Sequence, residues 1–282
     1  MTSERQAEEM IEKLAAFIRL AGLSAMERYQ QKNLFVGNKG ESQTVNSVVT
    51  ETDLKISRMF RDFAAENFSH LNYLIIDEES VSDLGGQVFE KAAAADYQFV
   101  LDPIDGTILF ADGIPLFGIM IGVMKQNRPW LGLVYLPALD ELVYTDGKKV
   151  WWEQKSGRLE IVPQAKNNSY LVLGHDWLLN SQCGPGKGKM ILADFFSAAS
   201  YFLFICTNRA KGAFLKAYLW DIAGGWAIAK AMGIEIYDYE TKEKLERLNS
   251  EDFREDCFMK RMKICCREQD FEAVKEMVSG LK

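Results

Sequence analysis

The sequence predicts an α+β fold in which sheets and helices stack in layers. Three observations point there. Two stretches with helical apolar spacing precede the first strand pattern. Residues 117–152 then alternate short apolar runs with turn residues, too closely for crossover helices. The remainder mixes helical and strand-like runs in blocks, which is the arrangement of layered α+β proteins rather than of strict βαβ winding.

In chain order, Met10, Leu14, Phe17, Ile18 and Ala21 fall on one face of a helix running from Arg5 to about Tyr29. A loop with Gly37, Lys39 and Gly40 follows. A second amphipathic helix is predicted from near Asp53, with Leu54, Ile56, Met59, Phe60 and Phe63 facing inward. YLII at 73–76 reads as a buried strand running into the acids of DEES, and QFVLD at 98–102 as a second strand ending in an acid. FGIMIGVM, WLGLVYLP, ELVYT and KVWW, broken by QNRP, PALD and DGKK, predict antiparallel hairpins. Residues 167–189 are polar and glycine-rich and specify no element. Beyond them the pattern predicts a helix from Leu192 to Asn208, a strand GAFLKAYL and a helix from Asp221 to Met232. Strands IEIYD and MKICC and a final helix from Asp270 close the chain. No repeat or linker composition interrupts it. A single domain over 1–282 is expected, with a soft division into an acid-bearing α+β half (1–160) and a C-terminal α/β half (161–282).

Composition narrows the class. Of 282 residues, 48% are hydrophobic and 26% charged, as in ordinary globular proteins. The net charge of -7 argues against a nucleic-acid polymer as partner, because phosphate contacts need a basic face. Five cysteines without CxxC spacing predict reduced structural thiols. A polar, acidic N-terminus and the lack of an apolar run near the ~20 residues of a membrane span predict a cytoplasmic protein.

The stretch LDPIDGTILF carries the chemistry. Asp102 and Asp105 sit close at the end of an apolar strand, where like charges repel unless something positive lies between them. Pro103 fixes φ and removes an amide, which predicts that the chain leaves the strand there. The carbonyl of Ile104 lies between the acids as a further hard oxygen donor. Gly106 permits a positive φ and close approach of a ligand, and Thr107 offers a hydroxyl and an amide to an anion. Further acids stand at other strand ends and helix starts: Asp53 in VVTETD, Glu78 and Glu79 in IIDEES, Asp221 in LWDIAGG. Singly, Asp53 and Asp221 also suit helix capping, and DEES also suits a solvated turn. Together they suit hard cations such as Mg²⁺. With only His70 and His175 and no HExxH, zinc of the usual kind does not fit. Two divalent ions held ~3.5–4 Å apart by shared carboxylates are the device for phosphate-ester hydrolysis, and they would let an acidic chain bind an anion.

VTETD, DEES, DPIDGT and WDIAGG, in this order, resemble the signatures of the inositol monophosphatase family. The wider superfamily is Mg²⁺-dependent and lithium-sensitive and includes fructose-1,6-bisphosphatases and bisphosphate nucleotidases. The resemblance covers most of the chain. It implies a layered α/β/α/β/α sandwich, a homodimer, and two or three Mg²⁺ ions acting on a small phosphorylated substrate. It further implies that Glu78, Asp102, the Ile104 carbonyl and Thr107 serve the first ion, and Asp102, Asp105 and Asp221 the second. Glu78 and Thr107 would orient the attacking water, with Asp53 polarising Thr107. The amides of Gly106 and Thr107, with Lys39, would hold the phosphate.

The chain also departs from the family pattern. DGTILF stands where the family often has DGTTNF, and the lysine that nucleotidases place after DGT is absent. Lys216 falls at or near the position of a hydroxyl-reading glutamate, which predicts contact with a second anionic group on the substrate. The activity that the resemblance implies is a phosphomonoesterase on a small phosphorylated metabolite, with inositol monophosphate first, while Lys216 would favour a bisphosphate or a substrate with a carboxylate. The alternatives are a sugar bisphosphatase of the fructose-1,6-bisphosphatase type, a 3'(2'),5'-bisphosphate nucleotidase, and a catalytically silent metal-binding relative. The spacing excludes a DxD phosphatase and an EF-hand loop.

Overall fold

The computed structural model of the protein describes residues 3–30, 51–164, 166–174 and 190–278. Helix α1 (Ser3–Gln30) and helix α2 (Glu51–Phe68) form the first layer. The row Met10, Leu14, Phe17, Ile18 and Ala21 is buried as its spacing predicts, and meets Ile56, Phe60, Ala64 and Phe68 of α2. Of the residues expected to face inward on α2, Leu54 instead points to solvent, while Met59 and Phe63 are partly buried. Its place on the inner face is taken by Asp53 and Ser57, both buried.

Both helices cover one face of a seven-stranded sheet whose strands follow chain order. These are β1 (Tyr73–Asp77), β2 (Tyr97–Asp105), β3 (Gly118–Lys125), β4 (Arg128–Leu136), β5 (Glu141–Thr145), β6 (Val150–Gln154) and β7 (Gly157–Ile161). Only β1 and β2 pair in parallel, through a crossover that contains α3 (Val88–Ala94); the rest form the expected antiparallel meander. The central strands are apolar on both faces because both are covered. In β3, Ile119, Ile121 and Val123 point toward α1 and α2, whereas Met120 and Met124 point to the opposite core. Strand β2 is followed by α4 (Thr107–Ala111).

The second sheet has the order β11-β12-β10-β8-β9. Its strands are β8 (Leu171–Leu173), β9 (Ile191–Ala193), β10 (Gly212–Leu215), β11 (Glu235–Asp238) and β12 (Lys263–Cys266). Between the sheets lie α5 (Ala198–Cys206) and α6 (Trp220–Ala231), in a buried cluster that draws residues from both sheets. Helix α7 (Phe271–Lys275) covers the outer face of the second sheet. The layers therefore run α/β/α/β/α. Cys206, Cys257, Cys265 and Cys266 are free and buried, as structural thiols should be, and Cys183 lies outside the described residues.

Helix α6 lies unusually close to the first sheet. A Cβ added at Gly122 would stand 2.5 Å from the backbone carbon of Ala223, and one at Gly224 would stand 2.6 Å from the carbonyl oxygen of Leu133. Only residues without side chains permit this approach, and it brings the first turn of α6 down onto the end of β2.

Several elements differ from the sequence reading. The helix expected over Leu192 to Asn208 begins only at Ala198, because residues 191–193 pair in parallel with β8. Pro103 does not end β2. The strand runs on to Asp105, with the register shift between Asp102 and Asp105 absorbing the missing amide. Strand β7 extends the meander beyond residue 152, and β8 falls within the stretch 167–189 that the sequence leaves without an element.

Candidate functional site

The site forms where four elements end together. Asp102 and Asp105 come from the last turn of the β2 ladder, Glu78 follows β1, Asp53 lies in the first turn of α2, and Asp221 in the first turn of α6. The parallel pairing of β1 with β2 sets Asp77 beside Leu101 and so brings Glu78 toward Asp102. One carboxylate oxygen each from Asp102, Asp105 and Asp221 lies within 4.8 Å of the others. Asp221 stands more than a hundred residues from Asp102 and Asp105 in sequence, yet the three carboxylates meet.

The bulge in β2 separates the two acids and gives each a different job. Asp102 is buried, and its Oδ1 has no hydrogen-bond partner. Asp105 meets the start of α5: Ser197 Oγ and the amide of Ala199 (2.8 Å) donate to Oδ2, and the amide of Ala198 (3.0 Å) donates to Oδ1. Asp221 Oδ2 accepts from the amide of Tyr218 at 2.7 Å, so the acid terminates the chain entering its helix as well as joining the cluster. Gly106 has φ 76, and a Cβ there would meet Ser197, Leu109 and the carbonyl of Phe196 at 3.2–3.3 Å, so backbone angle and space both require glycine. The hydroxyl of Thr107 donates to the carbonyl of Ile104 at 3.1 Å. That carbonyl keeps a second lone pair.

The electrostatics describe a set of acids short of positive charge. Burial is the largest influence on each. It raises Asp102 well above the ordinary carboxylate value, reinforced by Glu78, Asp105, Asp221 and Asp53. Glu78 is raised well up by burial and then by Asp221, Asp53, Glu79 and Asp105. Burial and the charge of Asp105 lift Asp221 to about 7, against the amide of Tyr218 and a hydrogen bond with Asp102. Asp105 reaches about 6, held back by Ser197 and the two α5 amides. Glu79 rises to about 7 through burial and the charges of Asp53 and Asp77. Among the described residues no lysine or arginine is a counterweight to these groups. An orphaned buried oxygen and crowded carboxylates are what a hard divalent cation would satisfy, since such ions take oxygen donors and neutralise them. The residues present fit such an ion.

Lys216 makes its contacts with residues outside this triad. Its Nζ donates to the carbonyl of Lys260 at 2.5 Å and lies 5.6 Å from the Phe258 ring centroid, which Arg254 also approaches, at 4.7 Å. Phe258 in turn meets Tyr218, the residue whose amide reaches Asp221. Lys39 lies outside the described residues. Ser197 was missed from sequence. The signal was there, because a serine immediately before an apolar run is a helix N-cap pattern, but it was hidden inside the helix expected from Leu192.

The comparisons agree with the motifs. The model of the inositol monophosphatase family matches residues 6–274, and the chain belongs to that family. A fructose-1,6-bisphosphatase/inositol-1-monophosphatase of Thermotoga maritima is 27% identical over 220 residues, covering 74% of this chain and 78% of the relative. The Nus factor SuhB of Haemophilus influenzae is 28% identical over 239 residues, covering 79% and 82%. Among solved structures, an IMPase of Thermotoga maritima superposes with a TM-score of 0.70 at 22% identity, covering 96% of each chain. That likeness establishes the layered sandwich.

Proposed function

We propose that this chain, a phosphatase of the inositol monophosphatase family, is a Mg²⁺-dependent phosphomonoesterase of small phosphorylated metabolites, with inositol monophosphate as its first substrate. The observation that carries the proposal is the meeting of Asp102, Asp105 and Asp221 within 4.8 Å, with Glu78 and Asp53 close enough to raise the neighbouring carboxyls.

In this reading Asp102, Asp105, Asp221, Glu78 and the Ile104 carbonyl hold two or three Mg²⁺ ions. Bound there, Mg²⁺ supplies Lewis-acid polarisation of the phosphoryl group and neutralises the carboxylates. Glu78 would take a proton from the attacking water, and Thr107 would orient that water. Asp53 acts on Thr107 from the first turn of α2. The amides of Gly106 and Thr107 hold the phosphate, with Lys39 as the loop contact that the family resemblance implies. The chain acts as one unit, supported by the buried cluster shared between the two sheets. Homodimer formation and a cytoplasmic setting follow from the resemblance and from composition; among the described residues no helix is long and apolar enough to cross a membrane.

A second reading has its own support. Lys216 and Arg254 share the Phe258 ring one aromatic layer from the residue that binds Asp221, and the Thermotoga relative is named for a bisphosphate as well as a monophosphate. A second anionic group on the substrate would suit these cations. Phosphate release from inositol monophosphate, fructose 1,6-bisphosphate and a 3',5'-bisphosphate nucleoside, with and without Mg²⁺, tests both. The proposal expects Mg²⁺-dependent release, fastest from inositol monophosphate. A preference for a bisphosphate that disappears in Lys216→Glu favours the second reading, and no release from any substrate at millimolar Mg²⁺ marks a silent relative.

A further inference from the structure

We infer that Asp77, Ser57 and Arg61 form a clamp that positions Glu78 for the cation by tying its turn to α2. Asp77 is completely buried at the end of β1, one residue before Glu78. A further buried carboxylate beside a crowd of acids is unfavourable unless it is paired and fully hydrogen-bonded. It is both. Arg61 Nη2 donates to Oδ2 at 2.9 Å and Ser57 Oγ donates to the same oxygen, as does Ser80 Oγ at 3.2 Å; the amide of Glu79 donates to Oδ1 at 3.1 Å.

The donors come from two directions. Glu79 and Ser80 belong to the turn that follows Glu78, so Asp77 folds that turn back onto itself. Ser57 and Arg61 belong to α2, four residues apart and on the same face as Asp53. Arg61 Nη2 also reaches Ser57 Oγ at 3.2 Å, which locks the pair. On its other side the amide of Glu78 donates to the carbonyl of Leu101 in β2 at 3.4 Å. Glu78 is thus held between the strand that carries Asp102 and the helix that carries Asp53. Asp77, Ser57 and Arg61 touch neither substrate nor reacting atoms in this arrangement; they act through Glu78.

The inference rests on the proposed function in taking Glu78 as a ligand, and the test separates the two. Removing the positive charge of Arg61 makes the surroundings more negative, which by itself would tighten cation binding. Losing the clamp does the opposite. Mg²⁺ is titrated by calorimetry into the full chain as wild type, Arg61→Met, Arg61→Lys and the milder Ser57→Ala, with amide hydrogen exchange measured before metal is added. The clamp predicts that Arg61→Met binds Mg²⁺ about 10–100-fold more weakly, the range for partners of metal ligands. It predicts lower kcat at saturating Mg²⁺ with substrate KM unchanged, and partial recovery in Arg61→Lys. The amides of Glu78, Glu79 and Ser80 exchange faster in metal-free Arg61→Met. Unchanged or tighter Mg²⁺ binding in Arg61→Met and Ser57→Ala, with only the melting temperature lowered, overturns the clamp. Wild type that takes up no Mg²⁺ overturns the proposed function instead, while the exchange rates still report on the clamp.

Discussion

At Asp105 both carboxylate oxygens accept hydrogen bonds from the start of α5, while the same side chain belongs to the acidic triad. The residue therefore joins the α5 backbone to any ion held below it. Asp105→Asn removes one charge from a mutually repelling set, but it leaves a single acceptor oxygen and turns an NH2 toward a donor at the helix start, so the two effects on stability oppose each other. We expect the metal-free variant to remain folded. Its Mg²⁺-dependent hydrolysis should fall by more than about 100-fold, beyond the loss typical of outer partners of a metal ligand. Thermal unfolding and steady-state rates check this, and near-wild-type turnover would remove Asp105 from the ligand set. At this scale the acids were legible because each stands out against an apolar strand or helix. Their partners were not. Ser197 reaches Asp105 across 92 positions, and Arg61 reaches Asp77 across 16, and neither pairing leaves a local signature.

Strands β11 and β12 place Asp238 directly opposite Lys263, and both are buried. Lys263 Nζ and Arg261 Nε each lie 3.0 Å from Asp238 Oδ2. Burial pushes the Asp238 carboxyl up, but the amides of Thr241 and Glu240 and the Lys263 ammonium outweigh it and hold the group below its ordinary value. The folded state thus binds fewer protons here than the unfolded chain, whose aspartate titrates at about 4. The contribution is complete above about pH 4 and is lost as pH falls through the lower folded value. Asp238→Asn should cost about 2 kcal/mol at pH 7, because it removes one of the two carboxylates that hold the buried Lys263 ammonium while Asp252 stays, and this difference from wild type should shrink below pH 3 in urea unfolding. A gap that stays constant with pH would contradict the assignment. The elements themselves were readable wherever a face is repeatedly apolar, as in α1 and β3. They were not readable where pairing is remote. Strand β9 depends on β8, and β7 is an exposed edge of five residues whose alternation, RLEI, is too short to stand out.

For the whole molecule, composition and periodicity supplied layered sheets and helices, while the order of the layers came from the resemblance of four short motifs. The structure shows why those motifs suffice. Each lies where an element ends at one place, and the close approach of α6 to β3 and β4 leaves little freedom in where Asp221 can sit. The central claim is that this meeting point holds divalent cations. Anomalous scattering from crystals grown with Mn²⁺ in place of Mg²⁺ tests it directly. The account predicts strong peaks bounded by the carboxylates of Asp102, Asp105 and Asp221, with Glu78 at one of them. Peaks confined to surface acids, with the triad left empty at millimolar Mn²⁺, would contradict it.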